Sequence, residues 1–295
     1  MSETVRELSS QPDTWRRAAD ELARVRAILP RSGDRVAVVG CGTSLYVAQA
    51  YAGLRETSGA GETDAFAASE APAGRTYDVV VAISRSGTTT EVARLLSRPW
   101  SGARSMAICG TADTPVATSA DERVILGFAD ERSVVQTRFA TGALAMLRAS
   151  LGEEIEPIAK DGERALDAPL PLDPAAFHHF VFLGRAWTVG LANEAALKVR
   201  EAAGAWAESY PAMEYRHGPI SVAGSRSAVW PLGEVEADLL HDVAATGATI
   251  VDHGLRRIDP MAELILIQRT AVALAESRGM DPDRPRHLTR SVVLS

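Results

Sequence analysis

Two stretches of the 295-residue chain have residue types and spacing that could do chemistry. In the first, Val79-Val80-Val81-Ala82-Ile83 runs into Ser84-Arg85-Ser86-Gly87-Thr88-Thr89-Thr90 and then into Glu91-Val92-Ala93-Arg94-Leu95-Leu96. Hydroxyl donors at Ser84, Ser86, Thr88 and Thr89, the cation of Arg85 and the unpaired N–H groups of a following helix are the parts of an oxyanion site that needs no metal. An ordinary N-cap cluster has the same composition, so the loop by itself leaves both readings open. In the second, Asn193-Glu194-Ala195-Ala196-Leu197-Lys198-Val199-Arg200-Glu201 precedes Glu208, Glu214 and Tyr215-Arg216-His217-Gly218-Pro219. A carboxylate and an imidazole are the usual partners for moving a proton. Spacing alone makes Glu194 and Lys198 a solvated i,i+4 pair and His217 a structural loop histidine.

The elements that position these groups follow from the apolar pattern. Residues 79–83 read as a parallel strand covered on both faces, and 91–96 read as a helix. Upstream, residues 12–29 repeat apolar positions at helical spacing, with Trp15, Ala18, Ala19, Leu22, Val25 and Leu29 on one face. Arg35-Val36-Ala37-Val38-Val39-Gly40 then reads as a strand that enters Cys41-Gly42-Thr43-Ser44 and a helix from Leu45 to about Thr57, a second phosphate-loop candidate. A dinucleotide fingerprint is absent, because Leu45 stands where its third glycine belongs. Strands at 105–109 and 123–126, and a helix from about Val134 to Leu151 whose polar first turn could face a ligand, complete a doubly wound parallel sheet.

Composition narrows the function. A hydrophobic content of 46% supports a real core, and a net charge of −7 with scattered arginines argues against a nucleic-acid partner. No apolar run is long enough to cross a membrane, and the polar start lacks a signal-peptide core. With Cys41 and Cys109 as its two cysteines, the chain is expected to be cytoplasmic with reduced thiols. There is no CxxC or HExxH, and His178-His179 has no acidic partner in metal-ligand spacing, so neither metal nor cofactor is expected.

Past Gly152, a charged helix over about 157–166 and the Pro-rich link Pro169-Leu170-Pro171-Leu172-Asp173-Pro174 mark a domain boundary, dividing the chain at 1–155 and 156–295. Phe180-Val181-Phe182-Leu183-Gly184-Arg185-Ala186-Trp187-Thr188-Val189 echoes Val36 to Leu45, which suggests a duplicated α/β unit. Ala228-Val229-Trp230-Pro231-Leu232-Gly233-Glu234 stands where Ile83 to Gly87 stands in the first half and has no Ser or Thr. The phosphate site therefore belongs to the first half.

In combination, Cys41-Gly42-Thr43-Ser44, Ser84-Arg85-Ser86-Gly87-Thr88-Thr89, Ala196-Leu197-Lys198-Val199-Arg200-Glu201, Arg216-His217-Gly218-Pro219 and the tail Asp283-Arg284-Pro285-Arg286-His287-Leu288 resemble the double sugar isomerase (SIS) domain of glucosamine-6-phosphate synthase and its stand-alone amino-sugar relatives. The order agrees across nearly the whole chain, as does the separation of 16 residues between Glu201 and His217. The segment Glu131 to Arg138 is more similar to the stand-alone deaminase-like branch. The resemblance implies an α/β fold of two tandem flavodoxin-like SIS units, each a parallel sheet flanked by helices. It implies a hexose 6-phosphate held by Ser44, Ser84, Arg85, Ser86 and Thr89, with further sugar contacts from Cys41, Gly42, Thr43, Gln136 and Lys198. Glu201 would be the base at C2, and His217, contributed by the second subunit of a homodimer, would assist ring opening. No glutaminase domain precedes these motifs, so ammonia from glutamine is not expected.

Two residues depart from the synthase pattern. Arg85 replaces a glutamine and should strengthen phosphate binding. Arg290 replaces the tail lysine that forms a Schiff base, and a guanidinium cannot do that chemistry, although it can stabilise an oxyanion. An enediolate formed by Glu201 then has three exits: isomerisation, loss of nitrogen, or elimination at C3. Simple isomerisation ranks below the other two, on glucosamine 6-phosphate or N-acetylglucosamine 6-phosphate. The alternative is a non-catalytic sugar-phosphate sensor.

Overall fold

The computed structural model describes residues 2–98, 100 and 102–294. Its chain forms two compact units, each assembled from separated segments. One comprises Ser10–Arg132, Gln136–Glu156 and Thr289–Ser295; the other comprises Met1–Ser9, Ser133–Val135 and Pro157–Leu288. Both are built on a parallel sheet, so the α/β class with helix-flanked parallel sheets expected from the sequence holds.

The first unit contains α2 (Gln11–Asp20), α3 (Leu22–Val25), β1 (Val36–Gly40), α4 (Thr43–Thr57), β2 (Thr63–Ala67), β3 (Val79–Ser84), α5 (Thr90–Leu96), β4 (Arg104–Cys109), α6 (Pro115–Ser119), β5 (Glu122–Ile125) and α7 (Arg138–Ser150). Its strands lie in the order β2-β1-β3-β4-β5, all parallel. Every residue of β1 and β3 is buried, as their runs of valine require of strands covered on both faces. The chain leaves β1 toward one edge of this sheet and β3 toward the other. The crevice at their carboxyl ends is the place where open α/β sheets bind ligands, and the loops 41–44 and 85–89 both begin there.

The helix expected over 12–29 is broken. Trp15 and Ala18 are fully buried, with Trp15 Nε1 donating to Thr141 Oγ1 of α7 at 2.8 Å. Ala19, Leu22 and Val25 are only half-buried. Past Asp20 the chain turns at Glu21 into the short helix α3, with Arg24 N donating to Glu21 O at 2.9 Å and Arg26 N to Leu22 O at 2.8 Å, and no residue of α3 is buried. The helix expected from Val134 begins instead at Arg138, and β2, whose sequence Thr-Asp-Ala-Phe-Ala has no apolar run, forms the edge.

The second unit contains α1 (Glu3–Ser9), α8 (Ile155–Asp167), β6 (His179–Gly184), α9 (Thr188–Ala203), β7 (Trp206–Pro211), β8 (Ser227–Pro231), α10 (Ala237–Ala245), β9 (Thr249–Ile250) and α11 (Pro260–Ser277). Its four strands run parallel in the order β7-β6-β8-β9. The helix α9 lies against β6, β7 and the buried helix α11 and stops at Gly204 in the left-handed conformation, a common helix C-terminus. At the other end of the sequence, Asp283 caps α1, its carboxylate accepting from Glu3 N at 2.8 Å, Thr4 N at 2.7 Å and Thr4 Oγ1 at 2.6 Å.

Candidate functional site

In the five-stranded unit, β3 ends at the buried Ser84, and the chain turns through Gly87 at φ +66°. A Cβ there would lie 2.0 Å from Thr114 Oγ1, so only glycine allows this close approach. Gly87 N donates to Ser84 Oγ at 3.2 Å and Thr88 N to Ser86 Oγ at 3.2 Å. The loop is tied to its neighbour after β4 by Gly110 N to Arg85 O at 3.0 Å and Val116 N to Gly87 O at 2.8 Å. A frame of this kind holds hydroxyls in place before any ligand arrives.

Those hydroxyls converge on the C-terminal tail. Ser291 Oγ takes Thr88 Oγ1 at 2.9 Å and Ser86 Oγ at 3.1 Å, with Thr89 Oγ1 at 3.5 Å. Arg85, buried at 2% exposure, donates Nη2 to Arg290 O at 2.9 Å. The first N–H of α5, at Thr90, donates to Val292 O at 3.2 Å, and Leu294 N donates to Thr90 Oγ1 at 2.9 Å. The Arg290 guanidinium pairs with Asp130. The tail thus makes, with one hydroxyl and two carbonyls, the contacts a small oxyanion would make with the same donors.

Ser44 is buried in the first turn of α4, and Gly40 before it admits no side chain, since a Cβ would meet the Ser44 backbone at 2.7 Å. Thr43 is buried beside it and Gly42 takes φ +56°. Burial, with the Glu91 carboxylate adding to it, pushes the Cys41 thiol up from its ordinary value, so it stays protonated near neutrality and is no nucleophile. Gln136 buries an Oε1 that has no hydrogen-bond partner among the described residues.

In the polar turn before α7, the donors that could face a ligand are taken within the protein. Glu131 is buried and takes those donors itself, accepting from Thr137 N at 2.6 Å, Thr137 Oγ1 at 2.7 Å, Arg138 N at 2.9 Å and Phe139 N at 3.3 Å.

In the four-stranded unit, Lys198 and Glu201 meet on α9, with Nζ 2.5 Å from Glu201 Oε2 and 3.3 Å from Glu194 Oε1. The solvated pair read from spacing is in fact interior: the Lys198 and Glu194 side chains are 1% and 2% exposed, because this face of α9 packs inward. Glu201, at 20%, is the member that reaches solvent. It borders a cavity of about 560 Å³ lined also by Arg200, Arg278, Met280, Arg286 and His287. His287 takes φ +61°, which costs a non-glycine residue of order 1–3 kcal/mol and is a feature of ligand clamps. His217 is exposed, follows a short helical turn clamped by Arg216 to Asp238 and Asp242, and is not among the residues lining the Glu201 cavity.

No protein-family model matches the chain. It is 27% identical over 330 residues to glutamine–fructose-6-phosphate aminotransferase [isomerizing] of Sulfurisphaera tokodaii, covering 100% of this chain and 54% of that protein. The Thermus thermophilus enzyme of the same name is 28% identical over 322 residues, covering 91% of this chain and 53% of its own length. The chain therefore spans about half the length of the aminotransferases it matches. Its fold matches the crystal structure of glucosamine-6-phosphate deaminase from Thermotoga maritima, with a TM-score of 0.85, 24% identity and coverage of 99% of this chain and 100% of that one. The C-terminal domain of glucosamine-fructose-6-phosphate aminotransferase from Francisella tularensis matches with a TM-score of 0.81, 20% identity and coverage of 97% and 98%. The chain is a homologue of the sugar isomerase (SIS) domain proteins.

Several groups in this SIS homologue carry no local sequence signal. Ser291 and Asp130 enter the site only because the tail folds back on loops some 200 and 160 residues earlier. Arg278 reaches the Glu201 cavity from a helix end that has no catalytic pattern, and Arg286 reaches it from the tail motif, where the sequence assigns it no role. His179, for which the sequence offers no acidic partner in metal-ligand spacing, sits in β6 between Ser227 of β8, 2.9 Å from Nδ1, and Glu208 of β7, 3.3 Å from Nε2. A period-two strand pattern does not say which strand will be the neighbour.

Proposed function

We propose that this SIS homologue is a phosphosugar-converting enzyme that removes the C2 proton of an amino-sugar 6-phosphate. The observation that carries the reading is the convergence of the Ser86, Thr88 and Thr89 hydroxyls on Ser291 Oγ, with the buried Arg85 donating to the adjoining Arg290 carbonyl, at the carboxyl end of β3. Together with Ser44 and Ser84 these groups hold the C6 phosphate, and binding energy spent there places the reacting carbon. Cys41, Gly42, Thr43, Gln136 and Lys198 contact the sugar. Glu201 is the base, its orientation fixed by Lys198, and His217 assists ring opening from the second subunit of a homodimer. The two sheets are taken as tandem copies of one unit, which the corresponding strand orders support.

Arg290 cannot form a Schiff base, and its pairing with Asp130 suits a role in holding the tail or an oxyanion. The enediolate therefore leaves by loss of nitrogen or by elimination of water in preference to simple isomerisation, on glucosamine 6-phosphate or N-acetylglucosamine 6-phosphate, in the cytoplasm. Incubation with each sugar in D₂O, following C2–H by NMR with Glu201→Gln as control, tests the proposal. Exchange that vanishes in the variant is expected, and ammonia, a ketose or an unsaturated chromophore then identifies the exit. Binding without exchange or product would instead mark a sugar-phosphate sensor.

A further inference from the structure

Around Glu201 the cavity is strongly biased in charge. Three guanidinium groups, from Arg200, Arg278 and Arg286, line it with the imidazole of His287, and Glu201 supplies the one carboxylate. Lys198 Nζ is shared between that carboxylate at 2.5 Å and Glu194 Oε1 at 3.3 Å, so the trio sets one net negative charge against three arginines. Arg200 and Arg278 each donate one nitrogen to a main-chain carbonyl near the end of α9, Nη1 to Ala207 O at 2.7 Å and Nη1 to Ala203 O at 2.9 Å. These bonds fix both side chains and leave each guanidinium further N–H donors. Arg286 makes no side-chain hydrogen bond among the described residues and is free to turn toward a ligand. A protonated amine would be repelled here, whereas a carboxylate would find planar, paired donors.

We infer that the substituent next to the reacting carbon carries a carboxylate, so that the substrate is a phosphosugar whose nitrogen bears an anionic acyl or alkyl group rather than a bare ammonium. The inference rests on the proposal that Glu201 takes the C2 proton, since that puts the C2 nitrogen and whatever it carries at the mouth of this cavity. At about 560 Å³ the cavity is within the size range of small-molecule sites, with room for a group beyond the sugar ring.

Calorimetric titration with three ligands that differ only at nitrogen tests this: glucosamine 6-phosphate (cation), N-acetylglucosamine 6-phosphate (neutral) and N-succinylglucosamine 6-phosphate (anion). The succinyl compound should bind about tenfold more tightly than the acetyl one, the effect of one charge-assisted contact, with the amine weakest. High salt should narrow that gap. Arg286→Gln should narrow it as well, as should Arg278→Gln, two separate variants in case the second disturbs the end of α9. Equal affinities, or tightest binding of the amine, would overturn the inference while leaving the phosphosugar reading in place. Failure of all three to bind would overturn both.

Discussion

The tail seated on the phosphate loop makes a quantitative prediction about affinity. Ser291 Oγ lies 2.9 Å from Thr88 Oγ1 and 3.1 Å from Ser86 Oγ, both hydrogen bonds, whereas Thr89 at 3.5 Å is too long to count fully. Each bond contributes about 0.5–1.5 kcal/mol net, and in a half-exposed site the pair is worth roughly 1–2 kcal/mol. A phosphate group needs the same donors, so it must displace Ser291 and forgo that amount. Ser291→Ala should therefore tighten binding of glucose 6-phosphate by a factor of about 5–30, measured by titration calorimetry. Removal of residues 289–295 should act in the same direction and more strongly, because it also frees Arg85 from Arg290 O and Thr90 N from Val292 O. Unchanged affinity in Ser291→Ala would show that phosphate and tail do not compete. Weaker affinity would show that the Ser291 hydroxyl is itself a phosphate ligand, and either result refutes the displacement argument.

Three other perturbations have defined outcomes. Lys198→Met removes the ammonium between two carboxylates, one of them 2% exposed, and should cost about 3–5 kcal/mol in denaturant unfolding, whereas Glu201→Gln, at a position 20% exposed, should cost much less. Burial alone would raise the Glu208 carboxyl, but hydrogen bonds from Trp206, His179 and Tyr210 together outweigh it and hold the group below its ordinary value. A lowered native pKa gives stability that is present above the unfolded-state value and lost as pH falls through the native one. Stability measured against pH should accordingly have a shallower acid limb in Glu208→Gln than in the parent. Asp283→Ala should free the first turn of α1, with a loss of about 1–2 kcal/mol and faster amide exchange confined to residues 3–9.

Much of the five-stranded sheet was legible because its central strands are covered on both faces and so must be continuous runs such as Val79 to Ile83. The loops after β1 and β3 were legible for a related reason: a strand that stops abruptly at glycine and hydroxyl residues has few other uses for them. What escaped were contacts set by neighbours remote in sequence. The edge strand β2 takes its place from backbone pairing with β1 and not from apolar content. Glu194 and Lys198 have the spacing of a surface pair, and only the packing of α9 against β6, β7 and α11 turns that face inward. The break after Asp20 was equally hidden, since helical periodicity in 12–29 counts apolar residues without regard to how many the core receives.

Each unit is completed by residues made long after its first element. Asp283, which caps α1, is synthesised some 280 residues after it, and Ser291, which sits on the 84–89 loop, some 200 residues after that loop. Domains generally fold as they emerge, N-terminal part first. Here α1 must wait uncapped until Asp283 has been made, and the hydroxyls of the 84–89 loop lack their Ser291 partner until residue 291 has been made. Closures over such separations are non-local steps and are slow for that reason. A chain stalled or clipped before Asp283 would carry a formed sheet but an unfinished α1 and an uncovered loop, and loss of residues 289–294 alone would be detectable as ligand affinity altered without loss of the fold.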